Sequence, residues 1–387
     1  MAFYYGNYCN YRFGWRLEIK KDKVLIVGGF PSKDSEIFGG IVTSCLTLIG
    51  SSFSDKFEVI TVDSTQKSNP IPHFSIRLLL AGKRTLLYVL KLLMYRPKVV
   101  ILFPAIGASL VEKGVMSWVA FFLRIPAFMF PRGGPLLDEV EKSKFTRSWV
   151  RLAFGGASKV LCQGPAWKTF AMEVLNFTEE NSPIIYNWTA TDRLISIGKK
   201  KLETKISYPL SILYLGWIEE EKGIFDFLNA LSNLENRNNF RVSIAGGGSC
   251  VDKAKEIAST KGLDDVVHFN GWVHGLKLEE LLSNSDILVL PSWAEGFPNA
   301  VIEAMAAGLA VIVTSVGNIP DILTHNSEAL LVPPKDVDSL RSTISRLVDD
   351  EILIRSLALK GHEFAKENFA IEEAVSKLEK LIYAVAH

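Results

Sequence analysis

The chain has 387 residues, 48% apolar and 22% charged, enough for roughly two to three domains with their own cores; this excludes a fibrous or disordered protein. Its four cysteines, Cys9, Cys45, Cys162 and Cys250, are dispersed and form no CxxC pair, which argues against a disulfide framework or zinc site and for a reducing compartment. The net charge of +1 conceals an asymmetry, +9 over residues 1–190 and −8 over residues 191–387, and turns the first half toward an anionic partner unless the charges only help the halves face each other.

The opening MAFYYGNYCNYRFGWRLEIKK lacks a basic start followed by an apolar core, so no signal peptide is expected. Uncharged runs such as 99–111 are too short to span a bilayer. The expected location is therefore the cytoplasm, and no nucleic-acid partner is expected.

In chain order, KVLIVGGF at 23–30 reads as a buried parallel strand ending in glycine. Gly39-Gly40 before the next helix would let a ligand approach the backbone, although paired glycines are more often plain turn residues. A strand is expected at 57–62 and a helix at 76–95 carrying Arg77, Lys83, Arg84 and Lys91, with Arg96 just beyond it. That helix has two readings: a core-facing amphipathic helix with solvated basic residues, or a helix lying on an anionic membrane surface. Strands at 99–103 and 127–130 flank a helix at 115–123, and the second of them ends in Pro131-Arg132-Gly133-Gly134-Pro135. Arg132 at a strand's carboxyl end is a candidate phosphate or acceptor contact, with a structural salt bridge as the competing reading. A strand at 158–162, a helix at 165–174 and a run at 184–187 close one doubly wound domain.

Lys199-Lys200-Lys201 reads as a linker, after which the rhythm restarts. A strand at 211–215 is followed by GWIEEEKG, which sets Lys222 directly before a helix, where a cation can reach an anion held at the helix end. Gly246-Gly247-Gly248 after a strand at 240–245 is only a weak dinucleotide signal. His274, after Gly271-Trp272-Val273, is either a ligand contact or a solvated loop residue.

The most informative stretch is LVLPSWAEGFPNAVIEAMAAG at 288–308. An apolar strand is stopped by Pro291, and Pro298 suits the first position of an alanine-rich helix. Glu303 is the one charged residue between Gly296 and Pro320, and a carboxylate in so apolar a helix needs a partner. Glu295 lies eight residues earlier, where free N–H groups and the helix dipole favour anions. Together they mark a ligand site.

The segments LYLGWIEEEKG, EGFPNAVIEAMAAGLAVIVTSVGNIPDIL and ALLVPPKDVDSL, with Glu295 and Glu303 at E-x7-E spacing, resemble the retaining glycosyltransferases of family 4, most densely over 211–345. The resemblance implies an α/β GT-B architecture, with two Rossmann-like doubly wound parallel-sheet domains facing across a cleft. Residues 1–190 would form the acceptor domain and 191–370 the nucleotide-sugar donor domain, with 371–387 a helix crossing back to the first. It further implies that Glu303 holds the donor ribose, Glu295 contacts and orients the sugar, and Lys222 neutralises the diphosphate. Gly296, Phe297, Pro298 and Asn299 would line the nucleotide sugar, with the backbone N–H groups of Phe297 and Asn299 donating to it, and Gly39-Gly40 would approach it from the other domain. Gly216, Trp217, Val273 and His274 complete the expected donor side, and Arg132 the expected catalytic set with Glu295 and Lys222. Two departures stand out: Trp217 occupies a place the family usually gives to Arg, and residues 126–138 lack the usual His.

The expected activity is transfer of a sugar from a nucleotide sugar to a glycan or lipid-linked glycan, with retention and without a metal or other cofactor. The partners are then the donor, the acceptor and an anionic membrane surface met by the basic first half, as in polysaccharide or lipopolysaccharide biosynthesis on the inner membrane face. A GT-B nucleotide-sugar epimerase and a catalytically silent scaffold subunit are the alternatives.

Overall fold

β1 (Lys23–Gly28) is the apolar KVLIVG run and an inner strand of a parallel sheet, fully buried from Val24 to Val27. The computed structural model describes residues 21–31, 40–65, 73–132, 135–235 and 237–385; the 1–20 segment with Cys9, Gly39, and the Gly133-Gly134 pair lie outside them. α1 (Gly40–Ile49) and α2 (Phe53–Lys56) lead to β2 (Glu58–Asp63), and α3 (Phe74–Tyr95) to β3 (Val99–Leu102). α4 (Ala108–Phe122), β4 (Ala127–Met129), α5 (Pro135–Lys142), α6 (Lys144–Phe154), β5 (Lys159–Val160) and α7 (Pro165–Glu173) complete this half. Its sheet order is β2-β1-β3-β4-β5, so the chain reverses direction between β1 and β3. Right-handed crossovers then put α1 on one face and α3, α4 and α6 on the other.

The second sheet is built from β6 (Leu210–Leu215), β7 (Phe240–Ala245), β8 (Val267–Gly271), β9 (Ile287–Leu290), β10 (Ala310–Thr314) and β11 (Leu330–Val332). All its pairings are parallel, and the order β11-β10-β9-β6-β7-β8 puts its reversal between β6 and β9. Around it pack α8 (Asp192–Leu202), α9 (Ile224–Ser232), α10 (Val251–Thr260), α11 (Leu276–Ser283), α12 (Asn299–Ala306) and α13 (Ile319–Ile322), followed by α14 (Val337–Val348) and α15 (Glu351–Asn368). α16 (Ile371–Ala384) returns to the first sheet: Ile371, Val375, Leu378 and Ile382 are buried with Val24, Ile26 and Trp188. Lys56 Nζ pairs with Glu379 at 2.5 Å on the same seam.

Three elements differ from the sequence reading. The helix expected at 115–123 begins at Ala108, because Gly114 is not a stop but a contact point. A Cβ there would lie 2.9 Å from Ala153 Cα, so glycine lets α4 and α6 approach closely. The triple lysine is the last turn of α8, not a linker. Cations suit a helix C-terminus, and Lys201 reaches inward to donate to the Leu282 carbonyl at 3.0 Å and to that of Ser285. Of the run at 184–187, only a single bridge from Cys162 to Ile184 forms. Replacing Gly114 with Val should destabilise the first domain by about 1–3 kcal/mol through overpacking against Ala153, read as a lower urea midpoint.

Candidate functional site

In open parallel sheets, ligands sit beyond the carboxyl ends of the strands where strand order reverses. Here two such points face each other. In the second sheet the diverging loops after β6 and β9 are held together by their backbones. Gly223 adopts φ 71°, and a Cβ on it would sit 2.0 Å from the Pro291 carbonyl oxygen. On the other side of the same loop Gly317, at φ 57°, leaves room for the Glu295 carbonyl, which a Cβ would meet at 1.9 Å. Tyr214, buried in β6, donates to the carbonyls of Trp217 at 2.8 Å and Lys222 at 3.2 Å and so fixes both ends of the first loop. The Trp293 N–H donates to Glu221 O at 2.8 Å, and its indole N–H to Asp226 at 2.7 Å.

This framework brings Lys222 Nζ to 2.8 Å from Glu295 Oε1, with the side chains 24% and 13% exposed. The sequence reading gave the two residues separate tasks; the structure pairs them with each other. Behind them, at the fifth position of α12, Glu303 is only 6% exposed. Among the described residues, no hydrogen bond or ion pair to its carboxylate supplies the partner that its burial demands. Burial alone therefore raises its pKa, from the ordinary 4.5 to about 8. Its unpaired oxygens are nevertheless not among the sealed side-chain atoms, unlike those of Ser292 and Asn318 nearby.

Of the other expected residues, Asn299 opens α12 and its amide donates to Gly40 O at 3.0 Å and to Ser44 Oγ at 3.3 Å. Asn299 and Gly40 are the first residues of α12 and α1, so this contact brings the positive dipole ends of the two helices together across the domain gap. Pro298 is the residue just before the helix, not its first turn, and Phe297 is buried against Phe369. Gly296 accepts from Asn318 N at 2.9 Å. Gly216 donates to Ala245 O, and Trp217 meets Trp272 edge-on with ring centroids 4.8 Å apart. Val273 and His274 follow β8 on the same side of the sheet, with His274 exposed.

Arg132, expected to contact a phosphate or acceptor or else to form a structural salt bridge, is held by neutral side chains. Its guanidinium donates to Asn187 Oδ1 at 2.5 Å and Ser44 Oγ at 2.6 Å and lies over the Phe130 ring. Burial lowers its pKa, yet a guanidinium starts so high that it stays charged. Asn187 in turn donates to Phe297 O at 2.6 Å, so Arg132 braces the first domain against the loop that carries Glu295. Sequence reasoning missed Ser44, Asn187 and Asn318. Only the Gly317-Asn318 turn carried a local signal; the other two acquire partners through chain separations no pattern reveals. The three glycines after β7 are accounted for by packing: a Cβ on Gly246 would lie 1.7 Å from Gly216 O, and one on Gly247 2.3 Å from Trp272 Nε1.

On the first domain, a cleft of about 870 Å³ opens at the β1/β3 reversal. Gly29, Gly40, Phe103 and Ala105 line its floor, α3 and α4 its sides, and Trp217 of the second domain its far wall.

Residues 199–364 match the family described as Glycosyl transferases group 1. Among curated relatives, an uncharacterized glycosyltransferase of Methanocaldococcus jannaschii is 29% identical over 231 residues, covering 56% of this chain and 57% of that protein. The chain therefore spans little more than half of that relative's length. Among solved structures, sucrose-phosphate synthase from Thermosynechococcus elongatus superposes with a TM-score of 0.76 at 17% identity, covering 94% of this chain and 99% of the other. HepE from Anabaena, solved in complex with UDP-glucose, superposes with a TM-score of 0.69 at 17% identity, covering 94% and 100%. The fold is that of the two-domain GT-B proteins.

A carboxyl whose pKa is raised by folding binds more protons folded than unfolded, so its contribution to stability falls as pH rises from about 4.5 to about 8. Thermal melting across this window should show Glu303→Gln losing less stability with rising pH than the wild type. Parallel curves would remove Glu303 as an unpaired buried acid.

Proposed function

Because residues 199–364 match the glycosyl transferases group 1 family, we propose that the chain transfers a sugar from a nucleotide-sugar donor to a glycan acceptor seated in the first-domain cleft. The observation that carries the reading is Glu303, a buried carboxylate without a partner among the described residues, eight residues after the Glu295 that pairs with Lys222. Hydroxyl groups of a donor ribose supply what that carboxylate lacks. Hydrogen bonds from them stabilise the ionised form and restore its ordinary charge at neutral pH.

Breaking the bond between sugar and diphosphate leaves negative charge on the departing group. That charge develops where Lys222 and the facing N-termini of α12 and α1 converge, and preorganised donors of this kind lower the barrier. On arrival the diphosphate takes Lys222 from Glu295, which frees the Glu295 carboxylate to orient the sugar hydroxyls. In this reading the protein's own charges, not a metal, serve the leaving group, and configuration is retained as in family 4. Arg132 acts at one remove, by holding the loop that carries Glu295.

A lipid-linked glycan is the acceptor class favoured here, with the chain peripheral to the cytoplasmic membrane face. Among the described residues no helix is long and apolar enough to cross a membrane. Trp217 supports the competing scaffold reading, since an aromatic ring stands where a cation would assist the diphosphate. A donor screen separates the possibilities, with UDP-glucose the first compound to try given the HepE complex. Release of nucleoside diphosphate supports transfer, C2 inversion the epimerase, and no binding at all the scaffold.

Two variants test the assignments. Glu303→Ala should weaken donor binding by about 1–3 kcal/mol in calorimetry, as the ribose hydroxyls lose their acceptor; unchanged affinity would count against that role. Lys222→Ala should lower turnover roughly 10²–10³-fold with a smaller effect on KM. Wild-type turnover would remove Lys222 from the mechanism.

A further inference from the structure

The outward face of α3 is apolar where a solvated helix would be polar. Tyr88 and Leu92 point into the core, while Leu79, Leu86, Leu90 and Met94 are 76%, 61%, 51% and 71% exposed. Their spacing sets them along one side of the helix. α4 packs alongside, joined by Tyr88 Oη donating to Met116 O at 2.9 Å and by Arg84 paired with Glu112 at 2.7 Å, and it too exposes Val115 and Phe122. Single exposed apolar residues are ordinary; a stripe along neighbouring helices marks an interaction surface.

The charges around the stripe have one sign. From Phe74 to Arg96 there are five Lys and Arg residues, Arg77, Lys83, Arg84, Lys91 and Arg96, and no Asp or Glu. Glu112 of α4 neutralises Arg84 but is shared with the buried Lys113, so the two helices keep a cationic excess here. A second copy of the chain docked two-fold on this stripe would set these cations against themselves. An apolar face edged by cations suits a surface that is apolar beneath and anionic on top. The stripe is also continuous with the site, because the cleft runs between α3 and α4, lined by Leu78, Thr85, Val111 and Val115, up to Gly40 and Trp217.

We propose that the exposed leucine stripe of α3, flanked by its five basic residues, docks the chain onto an anionic lipid bilayer, with the α3–α4 cleft opening at the headgroup level. The apolar side chains enter the headgroup boundary while the exposed heads of Arg77, Lys83 and Arg96 pair with lipid phosphates; Arg84 is held by Glu112 and Lys91 by the Thr61 carbonyl. An acceptor carried by the bilayer then enters the cleft between α3 and α4. That last step rests on the transferase reading; the docking does not.

Vesicle flotation of the full chain tests it, using phosphatidylcholine alone and phosphatidylcholine with phosphatidylglycerol. The wild type should float with the anionic vesicles, less at high salt, and not with the neutral ones. The double variant Leu86→Glu/Leu90→Glu changes two exposed side chains outside the cleft lining. It should keep the wild-type melting temperature and lose vesicle binding at least about tenfold, since two apolar anchors become charges. Absence of flotation, equal flotation with neutral vesicles, or wild-type flotation by a folded double variant would each overturn the proposal. So would a dimer in light scattering that the double variant abolishes while vesicles bind neither protein. A wild type that floats but turns over no nucleotide sugar leaves the docking intact and refutes the transferase reading alone.

Discussion

A buried carboxylate that nothing among the described residues answers is the constraint around which this molecule makes sense. Glu303 sits within α12, a helix otherwise free of charge, and desolvation favours its neutral form. An unpaired buried acid costs stability, and such costs concentrate where a ligand supplies the missing partner. The surroundings fit that interpretation. Lys222 pairs with Glu295, eight residues before Glu303, both side chains partly exposed, and Asn299 at the start of α12 reaches Gly40 at the start of α1.

The position of this group follows from topology more than from local chemistry. The second sheet reverses its strand order between β6 and β9, so the loops leaving those strands diverge and expose a crevice. Gly223 and Gly317 then allow the backbone of the Pro291–Gly296 loop to be pressed from both sides. Side chains at the end of so constrained a loop are held in place before any ligand arrives, which is what an electrostatic site needs.

The two domains are joined by polar contacts that meet at the same place. Ser44, Arg132, Asn187 and the Phe297 carbonyl form a chain of hydrogen bonds from α1 of the first domain to the loop before α12 of the second. Asn299 adds a direct link to Gly40. α16, packed against the first sheet, ties the last helix to β1. Any change in the angle between the domains must therefore work through the residues that flank the site.

Much of this was legible from residue order alone. Buried parallel strands announce themselves as short apolar runs, and KVLIVG, LSILYL and ILVL form strands where hydrophobicity places them. The isolation of Glu303 in an alanine-rich segment and the E-x7-E spacing to Glu295 also lie in the sequence. Other features did not. Gly114 looked like a helix boundary because its contact with Ala153 is invisible locally, and the lysine run looked like a linker because Lys201's acceptors come from α11 and the turn after it. The partners of Arg132 could not be named because Ser44 and Asn187 are 88 and 55 residues away. The sequence by itself determined which segments are apolar, how they repeat and which residues carry charge, since these are properties of neighbours along the chain. Only the tertiary structure decided which charges neutralise one another and which one is left alone, because pairing depends on distances that the folded backbone sets between residues far apart in the chain.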